Sequence, residues 1–369
     1  MQHSADDLYY QLALSFVPGI GPKFANSLLE EMGSAKAVLQ APLKQLMKVD
    51  GMGEIRARAI KDDNVYALAD KEMSFIQAKN IQVFNQKDEA FPQRLLQCAD
   101  APQLLYYKGS ASLNTAKTIA IIGTRKNTEY GQRLTNDLLE GLSKMNDLLV
   151  ISGLAHGIDT IAHKASLKNG IETVGVLGHG LNTIYPVANK NLAKEMIDKG
   201  GLLTEFASIS KMDKGNFPSR NRIVAGISDV TVVVESDIKG GALITAYIAN
   251  SYNRDVAAFP GRAYDSKSSG TNMLIRKNMA TLVTSADDLL EFMNWQKAKK
   301  QAVVQTQLML NLSAEEQAII DILQKKDTTH ADELQQLTKM GSSPLASCLL
   351  MLEMQGLIKT LPGKHYRMN

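Results

Sequence analysis

The chain has 369 residues, of which 44% are hydrophobic and 21% charged, an ordinary balance for a soluble globular protein. That length predicts about two to four domains of ~100–200 residues, and no apolar run reaches the ~18 residues that would span a bilayer, so no membrane insertion is expected. A formal charge of +3 is too small to argue for a polyanionic partner by itself, so any basic surface has to be concentrated locally.

The opening Met1–Asp7 has neither a basic start nor a signal-like apolar stretch. Cys98 and Cys348 have no CxxC or Cys/His partner, which predicts reduced packing residues in a cytoplasmic compartment. Residues 1–65 hold an internal repeat. Leu14-x-x-Val17-Pro18-Gly19-Ile20-Gly21 recurs as Leu46-x-x-Val49-Asp50-Gly51-Met52-Gly53, with Ala25 and Leu28 matched by Ala57 and Ile60. An apolar position followed by G-h-G and a helix is a helix-hairpin-helix signature. Its glycines permit a turn at positive φ and leave backbone N–H groups beside a helix N-terminus. The pair suggests a compact, sterile-alpha-motif-like helical module, either structural or touching a phosphate backbone. Lys23, Arg56 and Arg58 supply the few cations near the turns.

Residues 66–292 read as a second domain. It opens with a connector over 66–115, containing a short strand at Asn80–Phe84 and an extended stretch at Leu104–Gly109. Strand-like runs follow at Thr118–Ile122, Leu148–Ser152, Thr173–Leu177, Gly201–Phe206, Val230–Glu235, Asp255–Phe259 and Ala280–Thr284. Helical patterns such as Asn189–Lys199 and Ala242–Asn253 lie between most of them. Apolar strands alternating with helices predict an α/β fold with a parallel sheet covered on both faces. In such sheets ligands sit outside the carboxyl ends of the strands, so the loops there are the places to search.

The loop Gly123-Thr124-Arg125-Lys126 is neither a dinucleotide fingerprint nor a Walker loop. A glycine, a hydroxyl and an arginine at a strand-to-helix turn still make a phosphate-binding corner, although Arg125 would serve equally in an ion pair of its own domain. Asp159 and His163, four apart, fit acid–base work or, more simply, mutual satisfaction and capping. The most informative loop is Lys211-Met-Asp-Lys214-Gly-Asn216-Phe217-Pro-Ser-Arg220-Asn221-Arg222. Four cations against one acid surround a phenylalanine in a polar turn, which suits single-stranded nucleic acid: cations follow phosphates and the ring stacks on a base. A core Phe217 with surface cations is the alternative. No metal cluster, ATP-binding loop or nucleophile–base pair is legible, so no catalytic residue, metal or cofactor is expected.

Residues 293–310 read as a Lys/Gln-rich linker. Residues 311–369 read as a winged helix: a capping box at Ser313–Glu316, helices at about His330–Thr338 and Ser343–Gln355, and a hairpin turning at Pro362-Gly363. The presumed recognition helix carries no Arg or Lys, which favours a protein-interaction role over reading a duplex groove.

Gly123-Thr-Arg125, Ser152-Gly-Leu-Ala-His-Gly-Ile-Asp-Thr-Ile-Ala-His163, Gly178-His-Gly-Leu-Asn-Thr-Ile-Tyr-Pro186, Phe217-Pro-Ser-Arg-Asn-Arg222, Leu243-Ile-Thr-Ala246 and Pro260-Gly261 occur in one order. Together they resemble the DNA-processing protein A (DprA/Smf) family over residues ~80–290, and the flanking modules match some members. This chain has Gly123-Thr124-Arg125 where the family reads Gly-Ser-Arg, and Gly240-Gly241-Ala242 where it has Ser-Gly-Ser. The resemblance implies an extended Rossmann-like fold that binds single-stranded DNA without a nucleotide cofactor, dimerises through the Rossmann domain as a homodimer, shields incoming strands during natural transformation and delivers RecA recombinase. It implies a binding set of Gly123, Thr124, Arg125, Lys211, Lys214, Asn216, Phe217, Arg220, Asn221 and Arg222, with Arg125 and Lys214 on phosphates, Phe217 on a base, and Arg220 and Arg222 completing the pocket. A Rossmann-like phosphoribohydrolase is the competing reading, but its Pro-Gly-Gly-x-Gly-Thr-x-x-Glu arrangement has no glutamate counterpart at Ala246–Tyr252. A nicotinamide oxidoreductase lacks its fingerprint here.

Overall fold

Short apolar runs set the architecture, because a strand buried on both faces is filled mainly by apolar side chains, with a hydroxyl admitted where it bonds a neighbouring carbonyl, as Thr173 does. The computed structural model describes residues 5–295, 312–326 and 328–368. The chain divides into two units, 1–298 and 299–369. In the first, the strands are β1 (Gln82–Asn85), β2 (Leu104–Gly109), β3 (Lys117–Ile122), β4 (Leu148–Ser152), β5 (Glu172–Val176), β6 (Gly200–Thr204), β7 (Val230–Val233), β8 (Asp255–Ala258) and β9 (Thr281–Leu282). They form one sheet in the order β1-β2-β6-β5-β4-β3-β7-β8-β9. From β6 to β9 all pairings are parallel, while β1 and β2 add an antiparallel edge. All seven central runs expected from sequence form strands, with ends that coincide or differ by one or two residues.

Alternation along β3 shows how the two faces are filled. Ile119 and Ile121 pack with Leu138, Leu139 and Ala162 from the helices Glu129–Leu142 and Ile158–Lys168. Ala120 and Ile122 point the other way, into a core shared with Ile223, Val224 and Ile227 of the helix Asn216–Ile227 and with Ala246 and Ala249 of the helix Gly241–Ser251. The chain winds from β3 out to β6, then returns to place β7 on the other side of β3. The β3/β7 border is therefore the topological switch point, where two loops diverge and leave a crevice.

The helix-hairpin-helix repeat forms its turns with Gly19 and Gly51 at φ +79° and +75°. The boundary expected at residue 65 falls inside a helix. Asn64–Lys79 continues the helical module, and Val65, Ala69 and Ile76 share a core with Leu12 and Val38 and with Leu104 and Tyr106 of β2. The connector reading of 66–79 is thus corrected: its apolar residues recur at helical spacing and bury against both modules. Glu72 on this helix is fully buried. Its carboxylate accepts from the Ser208 amide at 2.9 and 3.0 Å and from the Ser208 hydroxyl at 2.6 Å. That contact fixes the segment after β6 that leads into the basic loop.

In the second unit the helices Ala314–Leu323, Ala331–Thr338 and Ser342–Met354 pack on a sheet of β10 (Thr329–His330), β12 (His365–Met368) and β11 (Ile358–Leu361) in that order. The expected capping box is in place: Glu316 N donates to Ser313 Oγ at 3.2 Å and Ser313 N to Glu316 Oε2 at 2.9 Å. The sequence reading did not include β10. Of the expected linker 293–310, residues 296–310 lie outside the described residues.

Replacing Glu72 with alanine leaves the half-buried Ser208 amide and hydroxyl without their acceptor, a loss of about 1 kcal/mol or more. Chemical denaturation is expected to show that loss as a lower midpoint. An unshifted midpoint would show that another acceptor takes over.

Candidate nucleic-acid interface

At the switch point the loops after β3, β4 and β7 and the first turns of the helix Asn216–Ile227 enclose a cleft of about 420 Å3. Its floor is tightly specified. Thr124 N donates to Glu235 O at 2.8 Å, and Ile158 N donates to Thr124 O at 3.2 Å. A side chain on Gly157 would meet Thr124 O at 2.2 Å, and that residue also sits at φ +79°, so only glycine fits there. The Glu235 carboxylate accepts from Thr128 N at 3.0 Å and from the Thr128 hydroxyl, which anchors the far end of the same loop.

The cleft brings together Gly123, Thr124, Arg125, Phe217, Arg220 and Asn221 of the sequence-expected set. Arg125 is exposed, and its guanidinium lies 6.0 Å from the Phe217 ring centre, without an ion-pair partner among the described residues. The half-buried Phe217 packs over Gly178, where a Cβ would lie 2.9 Å from its ring, and beside Tyr185 at 5.8 Å between centroids. Tyr185 and the N-terminal turn at Gly240–Gly241 were missing from the expected set. Tyr185 was quoted within a glycine loop, but nothing in that loop's spacing signals contact with a residue 32 positions later.

Arg220 lies under the cleft, only 4% exposed. Its Nη1 donates to Gly153 O at 2.5 Å and to Val176 O, at the ends of β4 and β5, while Nε has no partner among the described residues. Burial lowers its pKa to about 10, opposed by the nearby Asp159 and reinforced by the positive charge of Arg125. Burial raises the Asp159 pKa, and Arg220 and the Ala155 amide, at 3.3 Å, pull it back. Two arginines thus face a region whose lining holds two carboxylates, Asp159 beneath and Asp237 at the rim, the latter paired with Lys267 at 2.8 Å, so the arginines keep an excess of positive charge that a bound anion complements.

The rest of the expected set lies elsewhere. Lys211 and Lys214 are exposed on the segment before the helix, outside the cleft lining, and Asn216 donates its side-chain amide to Lys211 O at 3.3 Å. Arg222 is the clear correction. Its guanidinium is buried in an ion pair with Glu205 and donates to Asp100 O at 2.5 Å, so it holds the loop from inside rather than completing the pocket. Phe217 is also corrected in context, because it stands in the first turn of a helix and not in a polar turn. His163 and Asp159 do not satisfy each other: His163 Nδ1 pairs with Thr173 Oγ1 at 2.7 Å, and Thr173 donates to Val150 O at 3.0 Å. With the hydroxyl proton committed, Nδ1 carries the hydrogen, and Nε2 is a bare nitrogen with no partner among the described residues.

Comparison with known proteins adds three findings. The family model described as DNA recombination-mediator protein A matches residues 82–294, that of the DprA winged helix domain matches 305–364, and that of a SAM-like helix-hairpin-helix tandem matches 12–63. Protein Smf of Synechocystis is 30% identical over 97% of this chain and 98% of its own length. Among solved structures, DNA processing protein A of Streptococcus pneumoniae covers 79% of this chain and 98% of its own at TM-score 0.68 and 32% identity. DNA processing protein A of Helicobacter pylori, described by its single-stranded DNA binding mode, covers 58% and 95% at TM-score 0.53 and 30% identity.

Burial, and then the charge of Arg220, push the His163 pKa down from 6.5 to about 3. The folded state keeps the imidazole neutral where the unfolded chain takes up a proton. Its contribution to stability is therefore complete above 6.5 and is lost as pH falls toward 3, at a limiting rate of about 1.4 kcal/mol per pH unit. Asp159 acts with the opposite sign, so the informative quantity is the difference from a variant. His163→Asn, which keeps a donor toward Thr173, should be less stable than wild type at neutral pH. The gap should narrow as the solution is acidified through that window. Denaturation midpoints across pH measure it, and a constant gap would contradict a neutral His163.

Proposed function

The chain belongs to the DNA recombination-mediator protein A family, and from that premise we propose that it binds single-stranded DNA in the cleft at the β3/β7 switch point. The observation that carries this reading is the pairing of a free arginine with an aromatic face: Arg125 stands over Phe217, with the buried Arg220 behind them. A phosphate between the two guanidiniums relieves their repulsion, and the exposed part of the Phe217 ring offers a base a stacking surface. Gly123, Thr124 and the Gly240–Gly241 turn bring backbone close to that position, and Lys211 and Lys214 extend positive charge outward along the strand. Asn221, in the cleft lining, supplies an amide.

The same reading makes the protein a cytoplasmic binder without catalytic turnover that acts as a homodimer, protects strands during transformation and hands them to RecA. The resemblance of the ordered motifs to the family supports these last points. Two clefts on one dimer would engage two segments of a long strand and raise the effective concentration at the second site.

Arg125→Ala is expected to weaken binding to oligothymidylate and to reduce the slope of log affinity against log salt by about 0.7, the share of one phosphate on a single strand. Lys214→Ala should do the same more weakly, since its stem is exposed and unanchored. Phe217→Ala should cost about 1–3 kcal/mol of affinity with the salt slope unchanged. Because Phe217 also packs on Gly178 and Tyr185, affinity is to be referred to the folded fraction at each temperature. Gel-shift titration at two salt concentrations gives all three quantities. Normal binding by folded Phe217→Ala together with an unchanged slope in Arg125→Ala would place the site elsewhere.

A further inference from the structure

One strand beyond the switch point, the carboxyl end of β8 borders a second cleft of about 850 Å3, with Tyr130, Arg133, Pro260, Gly261, Arg262 and Asp265 in its walls. The Tyr130 hydroxyl donates to Pro260 O at 3.0 Å and ties the two walls together. Arg133 and Arg262 are exposed, and neither guanidinium has a hydrogen-bond or ion-pair partner among the described residues. Between Arg262 and Asp265 in the chain stands Tyr264, outside the cleft lining and 103% exposed, with nothing packed on its ring among the described residues. The Asp265 carboxylate is engaged by Lys267 N at 3.0 Å and by the Ser268 hydroxyl at 3.2 Å. Both donors are uncharged, so Asp265 keeps its negative charge and, with Glu129 in the first turn of the helix it opens, stands beside the two arginines; the loop's Lys126, exposed between the two clefts, tips the balance to positive.

The position of this cleft matters as much as its lining. The loop that begins with Arg125 in the first cleft runs through the exposed Lys126 to Thr128, which lines the second. Neighbouring strands in a sheet are about 4.8 Å apart, so the carboxyl ends of β3 and β8, with β7 between them, lie roughly 10 Å apart. A row of cations, Arg125, Lys126, Arg133 and Arg262, therefore runs along the edge of the sheet and ends at an aromatic ring with nothing packed on it. A second aromatic beside unpaired guanidiniums repeats the chemistry of the first cleft: charge for the backbone, a flat face for a base.

We propose that this second cleft is a continuation of the binding track, in which Arg133 and Arg262 take phosphates and Tyr264 stacks on a base of the same single strand. The inference rests on the single-strand reading of the first cleft, and length dependence separates the two. Short oligothymidylates fill the first cleft alone, and longer ones reach Tyr264.

The test measures the affinity of the full chain for oligothymidylates from about 2 nucleotides, too short to span roughly 10 Å at about 3.4 Å each, to about 16, the upper site size known for single-strand grooves. Wild type is compared with Arg125→Ala, Tyr264→Ala and the double variant Arg133→Ala/Arg262→Ala. The altered side chains of the new cleft are exposed, so thermal midpoints should match wild type. The shortest oligomers should bind Tyr264→Ala and the double variant as they bind wild type. The longest should lose roughly tenfold with Tyr264→Ala, and the double variant should lower their salt slope by about 1.4. Unchanged affinity for every length in both variants, with Arg125→Ala still weakened, would overturn the extension and leave the first cleft standing. Equal losses at every length would also overturn it, because the side chains would then act on the first cleft. Wild type that binds no oligomer would remove the single-strand reading itself, and the extension with it.

Discussion

A guanidinium sealed beneath the crevice holds this site together. Arg220 reaches back from the helix Asn216–Ile227 to the carbonyls of Gly153 and Val176, where β4 and β5 end. Removing such a charge from water costs several kcal/mol, and it persists only where carbonyls and a carboxylate replace the lost hydration. Asp159 supplies the opposing charge and Gly153 the room, since a side chain there would collide with both. The tie fixes the first turn of the helix against the sheet. Phe217, three residues earlier, is thereby set over Gly178, and Arg125 finds a ring beside it. The neutral state of His163 follows from the same charge together with its own burial.

Arg222 shows why the two arginines cannot share one role. Residues two apart on a helix point about 200° from each other, so once Arg220 faces the strand ends Arg222 faces away. It meets Glu205 at the end of β6, and Glu72 meets Ser208 three residues further on. The basic segment is therefore pinned on both sides by buried carboxylates, one from its own domain and one from the helical module. Between those pins Lys211, Asp213 and Lys214 remain exposed. The N-terminal module thus acts on the loop through packing and one buried carboxylate, whether or not its hairpin glycines approach a phosphate themselves.

The sheet was legible because its strands are short runs of Ile, Val, Leu and Ala punctuated by glycine and polar turns, and burial on both faces permits little else. The crevice was legible as a place, since parallel sheets open at their carboxyl ends. What escaped were features decided by tertiary packing. Gly215-Asn-Phe-Pro218 reads as a turn because each residue is common in turns, yet proline is well suited to a first helical turn, where its missing N–H is not needed. The apolar spacing of Ile223, Val224 and Ile227 beyond it was the available signal for the helix. The helix Asn64–Lys79 escaped because its buried face, Val65, Ala69, Glu72 and Ile76, is interrupted by a carboxylate and so carries a weak apolar period. Tyr185 and Gly178 meet Phe217 only through the fold, and no local pattern connects them.

The residues around the cleft divide into a rigid half and an exposed half, and this division bears on selectivity. Arg220, Phe217 and the Gly123–Thr124 turn are held by buried partners, whereas Arg125, Lys211 and Lys214 project into solvent. Lysines on free stems follow a phosphate chain as point charges and impose no register, while a fixed ring and a fixed guanidinium define where a nucleotide must stop. Groups able to read base edges are sparse: Asn216 commits its amide to the Lys211 carbonyl, leaving Asn221 as the amide in the lining. If it binds single strands as proposed, such a surface would distinguish a flexible single strand from a stacked duplex by whether a base is free to lie on the ring, and would treat different bases nearly alike. Under the single-strand reading, selectivity for strandedness without selectivity for sequence follows from which side chains are anchored and which are left free.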